Sequence, residues 1–270
     1  MKLVKKIAAV LFTSFLLCAL ASSAFANRLE SVLASGKLVL CTEPYFAPYE
    51  FIDNTKTGQE QYKGSDIELG YYIAKRLGVE LEIVPLSWDA LLAGISQGKY
   101  DIAISGMSYT PIRARSLEMS KGYKPGADQG VIVRKENADK YKTWDDFDGK
   151  TVGYHSGTLQ EQLVNLLLPK VKKQAYGAVQ NAILAVDAGK IDAAAVAVPN
   201  GEMFMASNPN LQVLPLRFKQ DVSGICVAAP KGEKELIARI NEIIDEVLEQ
   251  DLYTKWMDAA AIEAAKLGIK

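Results

Sequence analysis

Three observations predict an α/β chain of two lobes, each a sheet flanked by helices, with a cleft between them. The first is an internal repeat. Residues 91–103 and 182–194 each hold a short helix stopped by glycine (Gly98, Gly189), then Lys-x-Asp, then a small apolar strand, at a constant shift of 91 positions. The second is alternation: apolar β-type runs of about six residues are separated by amphipathic stretches of helical period, the pattern of parallel sheets covered on both faces. The third is a pair of segments suited to crossing between lobes. Residues 121–127 carry Gly122, Pro125 and Gly126, and 218–224 leads into a further apolar strand. Two crossings make a hinge.

In chain order, 37–42 is a first strand. A helix over 66–77 follows, closed by Gly78, and a second strand spans 80–85. Asp66 reads as the N-cap of that helix. The repeat helix before Gly98 leads into a strand through Ile102 and Ala103, which ends in small and hydroxyl-bearing residues, Ser105, Gly106, Met107 and Ser108. Thr110-Pro111 then starts a helix, threonine as N-cap and proline at the first helical position. In the second half, 151–154 is a strand and about 158–168 a helix. The tail, 233–267, reads as helical and would cover lobe one. The resulting division is a leader at 1–26, lobe one at 27–122 and 224–270, and lobe two at 123–223 with the crossovers.

The leader is read from Lys2, Lys5 and Lys6, an apolar run over 7–20 and the Ala24-Phe25-Ala26 cleavage pattern. Together these make a secretory signal peptide cut after Ala26. Cys18 does not make a lipoprotein site, because Leu17 stands where a small residue is needed. The expected product is a soluble, monomeric protein of the periplasm. Without the leader, 28 Lys and Arg face 32 Asp and Glu. That balance excludes a nucleic-acid partner, which needs a basic stripe. Cys41 and Cys226 remain in an oxidising compartment and could pair; each sits in an apolar strand, which favours two free buried thiols. His155 is the only histidine. A zinc centre is therefore excluded, and no cofactor is expected.

In parallel α/β sheets, ligands bind beyond the carboxyl ends of strands. Ser105 to Ser108 takes that place in lobe one, and Val196 to Val198 takes it in lobe two at the same shift of 91. Arg113 falls in the first turn of the predicted helix, where the macrodipole disfavours a cation unless an anion meets it. A guanidinium can grip a carboxylate through two parallel bonds. Arg115 reads as a solvated surface arginine.

Thr42-Glu43-Pro44-Tyr45-Phe46-Ala47-Pro48-Tyr49-Glu50-Phe51, Gly64-Ser65-Asp66-Ile67, the rim with Arg113, Val152-Gly153-Tyr154-His155-Ser156-Gly157-Thr158, and the Tyr253 and Trp256 pair carry a resemblance over essentially the whole mature chain. The chain resembles the periplasmic solute-binding proteins of polar amino-acid ABC transporters, whose type II fold is shared by ionotropic glutamate receptor ligand domains. The resemblance implies a closing trap that carries an amino acid or a similar carboxylate to an ABC transporter permease. It implies that Arg113 holds the ligand's carboxylate with the amides of Ser108 and Leu159. Ser105 and the Gly106 carbonyl would face the ammonium, and Phe46 and Trp88 would wall the side chain. Closure would bring up the Gly157 and Thr158 amides and His155, which with Glu43 would form a latch or touch the ligand; such pairing would raise the His155 pKa. One departure stands out: Ala197 occupies the place where the family offers an aspartate to the ammonium. The alternative on the same fold resembles cyclohexadienyl dehydratases, with Glu43 and His155 as an acid–base pair.

Overall fold

The computed structural model describes residues 27–220 and 224–269. The leader and its cleavage point lie outside the described residues. Asn27 caps α1 (Arg28–Ser35), its side chain accepting from the Glu30 amide. There follow β1 (Lys37–Thr42), β2 (Phe51–Ile52), β3 (Tyr62–Lys63), α2 (Ser65–Leu77), β4 (Glu80–Pro85), α3 (Trp88–Ser96), β5 (Ile102–Ala103), α4 (Arg113–Ser116) and β6 (Leu117–Lys124). The second sheet draws on β7 (Gln129–Arg134), β8 (Thr151–His155), β9 (Lys172–Tyr176), β10 (Ala193–Ala197) and β11 (Leu211–Arg217), with α5 (Leu159–Leu167), α6 (Val179–Asp187) and α7 (Val198–Ser207). The chain then returns through β12 (Ile225–Pro230), α8 (Lys234–Glu249) and α9 (Leu252–Lys266).

Lobe one is a sheet ordered β4-β1-β5-β12-β6, and lobe two a sheet ordered β11-β7-β10-β8-β9. Neither is wholly parallel, as the alternation had led us to expect. β12 runs antiparallel to both β5 and β6, and β7 runs antiparallel to both β10 and β11. These are the strands that follow the two crossovers. A chain entering a lobe from the cleft must run against strands whose carboxyl ends point to the cleft. β1, β4, β5, β8 and β10 all end there, so the loops after them form the cleft walls. The first crossover is also shorter than its composition suggests, since residues 121–124 belong to β6.

The core of lobe one is built on Leu38, Leu40, Ile67, Ile73, Ile102 and Val227 with Ile240, Ile243 and Ile244 of α8. Lobe two packs Val131, Val133, Val152, Leu163, Val164 and Phe147 on one face of its sheet. Ile132, Ile183, Val186 and Val196 pack on the other. The helical C-terminal tail is divided into two helices, because Asp251 turns the chain in the left-handed region, φ 49°. That break lets α9 lie along α2 and deliver Tyr253 to the base of the site. Cys41 and Cys226 are both free and buried.

Candidate functional site

The cleft holds a cavity of about 340 Å³ lined from both lobes. This falls within the range, roughly 300–1,000 Å³, of small-molecule sites. Lobe one contributes Glu43, Phe46, Trp88, Ser105, Gly106, Ser108 and Arg113, and lobe two His155, Thr158, Leu159 and Ala197. Tyr45, Tyr49, Glu50, Gln129, Gln160, Gln180 and Asn200 also line it. Met107 does not share this placement. Its side chain points back into the core against Cys41, Leu91, Ile95 and Leu117, after the chain turns at Gly106.

Arg113 is nearly inaccessible, at 6% exposure. Its Nη1 donates to the Ser108 carbonyl at 2.8 Å and its Nη2 to the Gly157 carbonyl of lobe two at 3.2 Å. The guanidinium carbon lies 5.2 Å from the centroid of the Trp88 ring, a cation–π contact. Nε has no partner among the described residues. Burial pulls the guanidinium pKa down to about 10, and no carboxylate among the described residues offsets it. The unfavourable position foreseen for Arg113 is real but has a different cause. Thr110 does accept from the Arg113 amide at 3.2 Å, yet α4 is only four residues long and its dipole is slight. Desolvation is what calls for an anion here. Arg115, by contrast, is exposed.

The rim is held from below. Gly106 adopts φ +54°, and a Cβ there would stand 3.0 Å from the Phe46 ring. Its amide donates to Asp66 Oδ2 at 2.7 Å. Asp66 is therefore not the cap of α2: Gly64 takes that place, and the Asp66 carboxylate turns inward. It accepts the Tyr123 hydroxyl at 2.9 Å and the Tyr253 hydroxyl at 2.5 Å. Next to it Glu50, 1% exposed, accepts from Ser105 Oγ at 2.9 Å. Neither acid was singled out from the sequence as a site residue. The available signal was Glu50 standing between the large apolar residues Tyr49 and Phe51, where an ionisable group is costly without a role.

Lobe two meets this rim at three points: Gly157 on Arg113, Gln180 Nε2 donating to the Tyr45 carbonyl at 3.0 Å, and His155 Nε2 at 4.0 Å from Glu43 Oε1. The lobes are thus closed on one another. The Gly157 amide, expected to face the ligand, instead donates to Glu161 at 2.6 Å, an interaction that fixes the first turn of α5. His155 also departs from expectation. Burial pulls its pKa down, against Asp89 and a backbone bond to Gly177. Burial likewise pushes Glu43 up to about 7, a backbone bond from Trp88 acting against it. Both charged forms are disfavoured, so the 4.0 Å contact is a poor ion pair.

The sign of the pH response follows. An exposed glutamate titrates near 4.5, and Glu43 in the closed cleft near 7. Whatever part of that burial lobe two supplies makes closure take up a proton, so closure is favoured as pH falls through about 7. His155, with its lowered pKa, releases a proton on closing and opposes the effect at the acid end. Ligand affinity measured by calorimetry is expected to rise from about pH 8 to pH 6 on the Glu43 account. Glu43→Gln should flatten the rise, and His155→Gln should leave it intact or steeper. A Glu43→Gln profile matching the wild type would remove Glu43 from this coupling.

Two lobes closed by a hinge over a cavity with a buried, anion-seeking arginine define a solute trap. The chain belongs to the bacterial extracellular solute-binding proteins, family 3, whose sequence pattern matches residues 38–259. A probable histidine-binding protein of Campylobacter jejuni is 30% identical over 216 residues, 78% of this chain and 80% of that one. An amino acid ABC transporter substrate-binding protein from Streptococcus pneumoniae, solved bound to L-arginine, is 33% identical with a TM-score of 0.79. The match covers 89% of this chain and 99% of that one. An ancestral amino acid-binding protein described as a precursor of cyclohexadienyl dehydratase is 30% identical with a TM-score of 0.75, covering 87% and 99%.

Proposed function

We propose that this chain is exported on its leader, cut after Ala26, and captures a free amino acid in the periplasm. It then hands that ligand, unchanged, to the permease of an ABC importer. It acts as a monomer with no cofactor. The observation that carries the reading is Arg113: a buried guanidinium bonded, among the described residues, only to two carbonyls, at the wall of the cleft cavity. A ligand carboxylate is the group that completes it. The amino acid docks first on lobe one, against Arg113, Phe46 and Trp88. Rotation of lobe two then adds His155, Thr158 and Leu159 and excludes water. Glu43 and His155 serve closure rather than catalysis.

The experiment is a calorimetric and thermal-unfolding screen of the common L-amino acids and L-cystine, with mass spectrometry of whatever co-purifies. At about a hundred times its Kd, a true ligand stabilises the fold by about 2.7 kcal/mol, a Tm rise of roughly 5–11 °C for a chain of this size. The ligand should be recovered unaltered. Failure of every amino acid to bind, or turnover of a prephenate-like carboxylate, would overturn the proposal.

A further inference from the structure

We infer that the Asn200 carboxamide is a lobe-two contact for the ligand's ammonium group, its Oδ1 accepting a hydrogen bond once the cleft shuts. This rests on the reading of the cleft as an amino-acid trap. Asn200 lines the cavity at 7% exposure, and its carboxamide has no hydrogen-bond partner among the described residues. A buried amide in that condition calls for a partner from outside the chain. The neighbouring polar side chains of the lobe-two lining are already engaged. Thr158 Oγ1 donates to the His155 carbonyl at 2.6 Å, and His155 faces Glu43. Gln160 Nε2 donates to Gln129 Oε1 at 2.7 Å, and Gln129 Nε2 to the Ala127 carbonyl at 2.9 Å. Gln180 Nε2 is taken by the Tyr45 carbonyl. Of these four amides, Asn200 keeps both of its ends open.

The fold puts Asn200 beside the carboxylate site. Arg113 reaches lobe two at Gly157, just past β8. β10 is the parallel neighbour of β8, so the segment leaving β10 stands about 5 Å from the one leaving β8. An α-amino acid carries its carboxylate and its ammonium on one carbon, and the groups that hold them must be close neighbours. Asn200 is the third residue of α7, where a side chain leans back toward the helix start. There it stands over Ala197, whose methyl leaves it room. Donor supply at the two helix starts separates the ligand's ends. α5 begins beside Arg113 with no side-chain cap on its first amides, which suits an anion. α7 has lost two of its first donors: the Val198 amide goes to the Asp128 carbonyl at 2.8 Å, and Pro199 has none. A carboxylate gains little there. Neither end of the Asn200 amide is held, so its oxygen is free to turn to a donor.

The test pairs each amino acid that binds, beginning with L-arginine and L-histidine, with its desamino analogue. Both members are titrated into the full mature chain, and the readout is their affinity ratio. In the wild type, the amino form should bind at least about tenfold more tightly, a difference of about 1.4 kcal/mol. Asn200→Ala should lower the ratio by about fivefold, the loss falling on the amino form. Asn200→Asp puts a charge in the same place and should raise the ratio above that of the wild type. The ammonium then gains an ionic partner, while the desamino form meets an uncompensated carboxylate. Aspartate in a first helical turn also suits the fold, so this variant carries the test if Asn200→Ala does not fold. Gln180→Ala, which removes a bond between the lobes, should weaken both members alike. An unchanged ratio in Asn200→Ala, or a ratio in Asn200→Asp at or below that of the wild type, would overturn the assignment. Failure of the wild type to bind any amino acid would instead overturn the reading beneath it.

Discussion

Arg113→Ala is expected to abolish tight ligand binding while leaving the ligand-free protein as stable as before, or more so. The second half is the less intuitive. In most folds, removing a buried arginine strands the acid it paired with. Here, among the described residues, it strands only the Ser108 and Gly157 carbonyls, because no carboxylate of those residues lies against the guanidinium. Desolvating the charge is a standing cost of the empty trap, weakly repaid by two carbonyls and the Trp88 face. Alanine removes that cost, so unfolding of the free variant should shift little. Binding behaves differently. Losing the partner of a desolvated carboxylate costs about 2–5 kcal/mol, roughly thirty- to several-thousand-fold in Kd. Arg113→Lys should recover only part of it, since an ammonium lacks the forked geometry that takes both oxygens. Arg115→Ala, on the exposed face, should change neither quantity. A variant at Arg113 that binds as the wild type does would remove the carboxylate anchor, and the proposed function with it.

The parts of this molecule that were legible in the sequence are those set by local chemistry. β1 and β4 fall where hydrophobic runs end in polar or glycine stops, and α2 ends at Gly78 in the left-handed conformation that glycine accepts. The rim after β5 was legible too, because small residues following a buried strand are unusual. What was hidden depends on contacts between distant residues. Strand direction in each sheet depends on which strands follow a crossing, and composition does not record it. The role of Asp66 depends on Gly106, 40 positions away, and on Tyr253, 187 positions away. From its own neighbourhood it is an acid at a helix start, the commonest place for one. Met107 is hidden for another reason: it is an apolar residue within a rim of small polar ones, and the turn at Gly106 sends its side chain into the core. Of the lining amides of lobe two, Gln160, Gln180 and Asn200 lie in the first turns of α5, α6 and α7 and Gln129 opens β7, and nothing local distinguishes them from surface residues.

Asp66→Ala is expected to be the most destabilising single change at the site, and the way it fails identifies the reason. The carboxylate collects the buried Tyr123 and Tyr253 hydroxyls and the amide of Gly106, which is half-buried at the cleft rim. Alanine leaves three donors without this acceptor, each costing about 1–3 kcal/mol when buried, and opens a small cavity. Removing a charged group from a desolvated site returns part of that, so a net loss of about 3–5 kcal/mol is expected. For a chain of this size, that is a fall in Tm of roughly 6–20 °C. Tyr253→Phe removes one hydroxyl from a carboxylate that keeps its other donors, and should cost about 1 kcal/mol. The two changes should not add. Once Asp66 is gone, the Tyr253 hydroxyl keeps only the bond it accepts from Ser65 Oγ at 3.0 Å, and has lost its own acceptor. Replacing it with phenylalanine should then be neutral or mildly stabilising, a coupling of at least about 1 kcal/mol in the double-mutant cycle. Ligand affinity should fall in Asp66→Ala even well below its Tm, because the Gly106 peptide is no longer held in place. Purely additive losses would mean that Asp66 stabilises lobe one by packing, and that the hydrogen-bonded network beneath the rim is not what positions it.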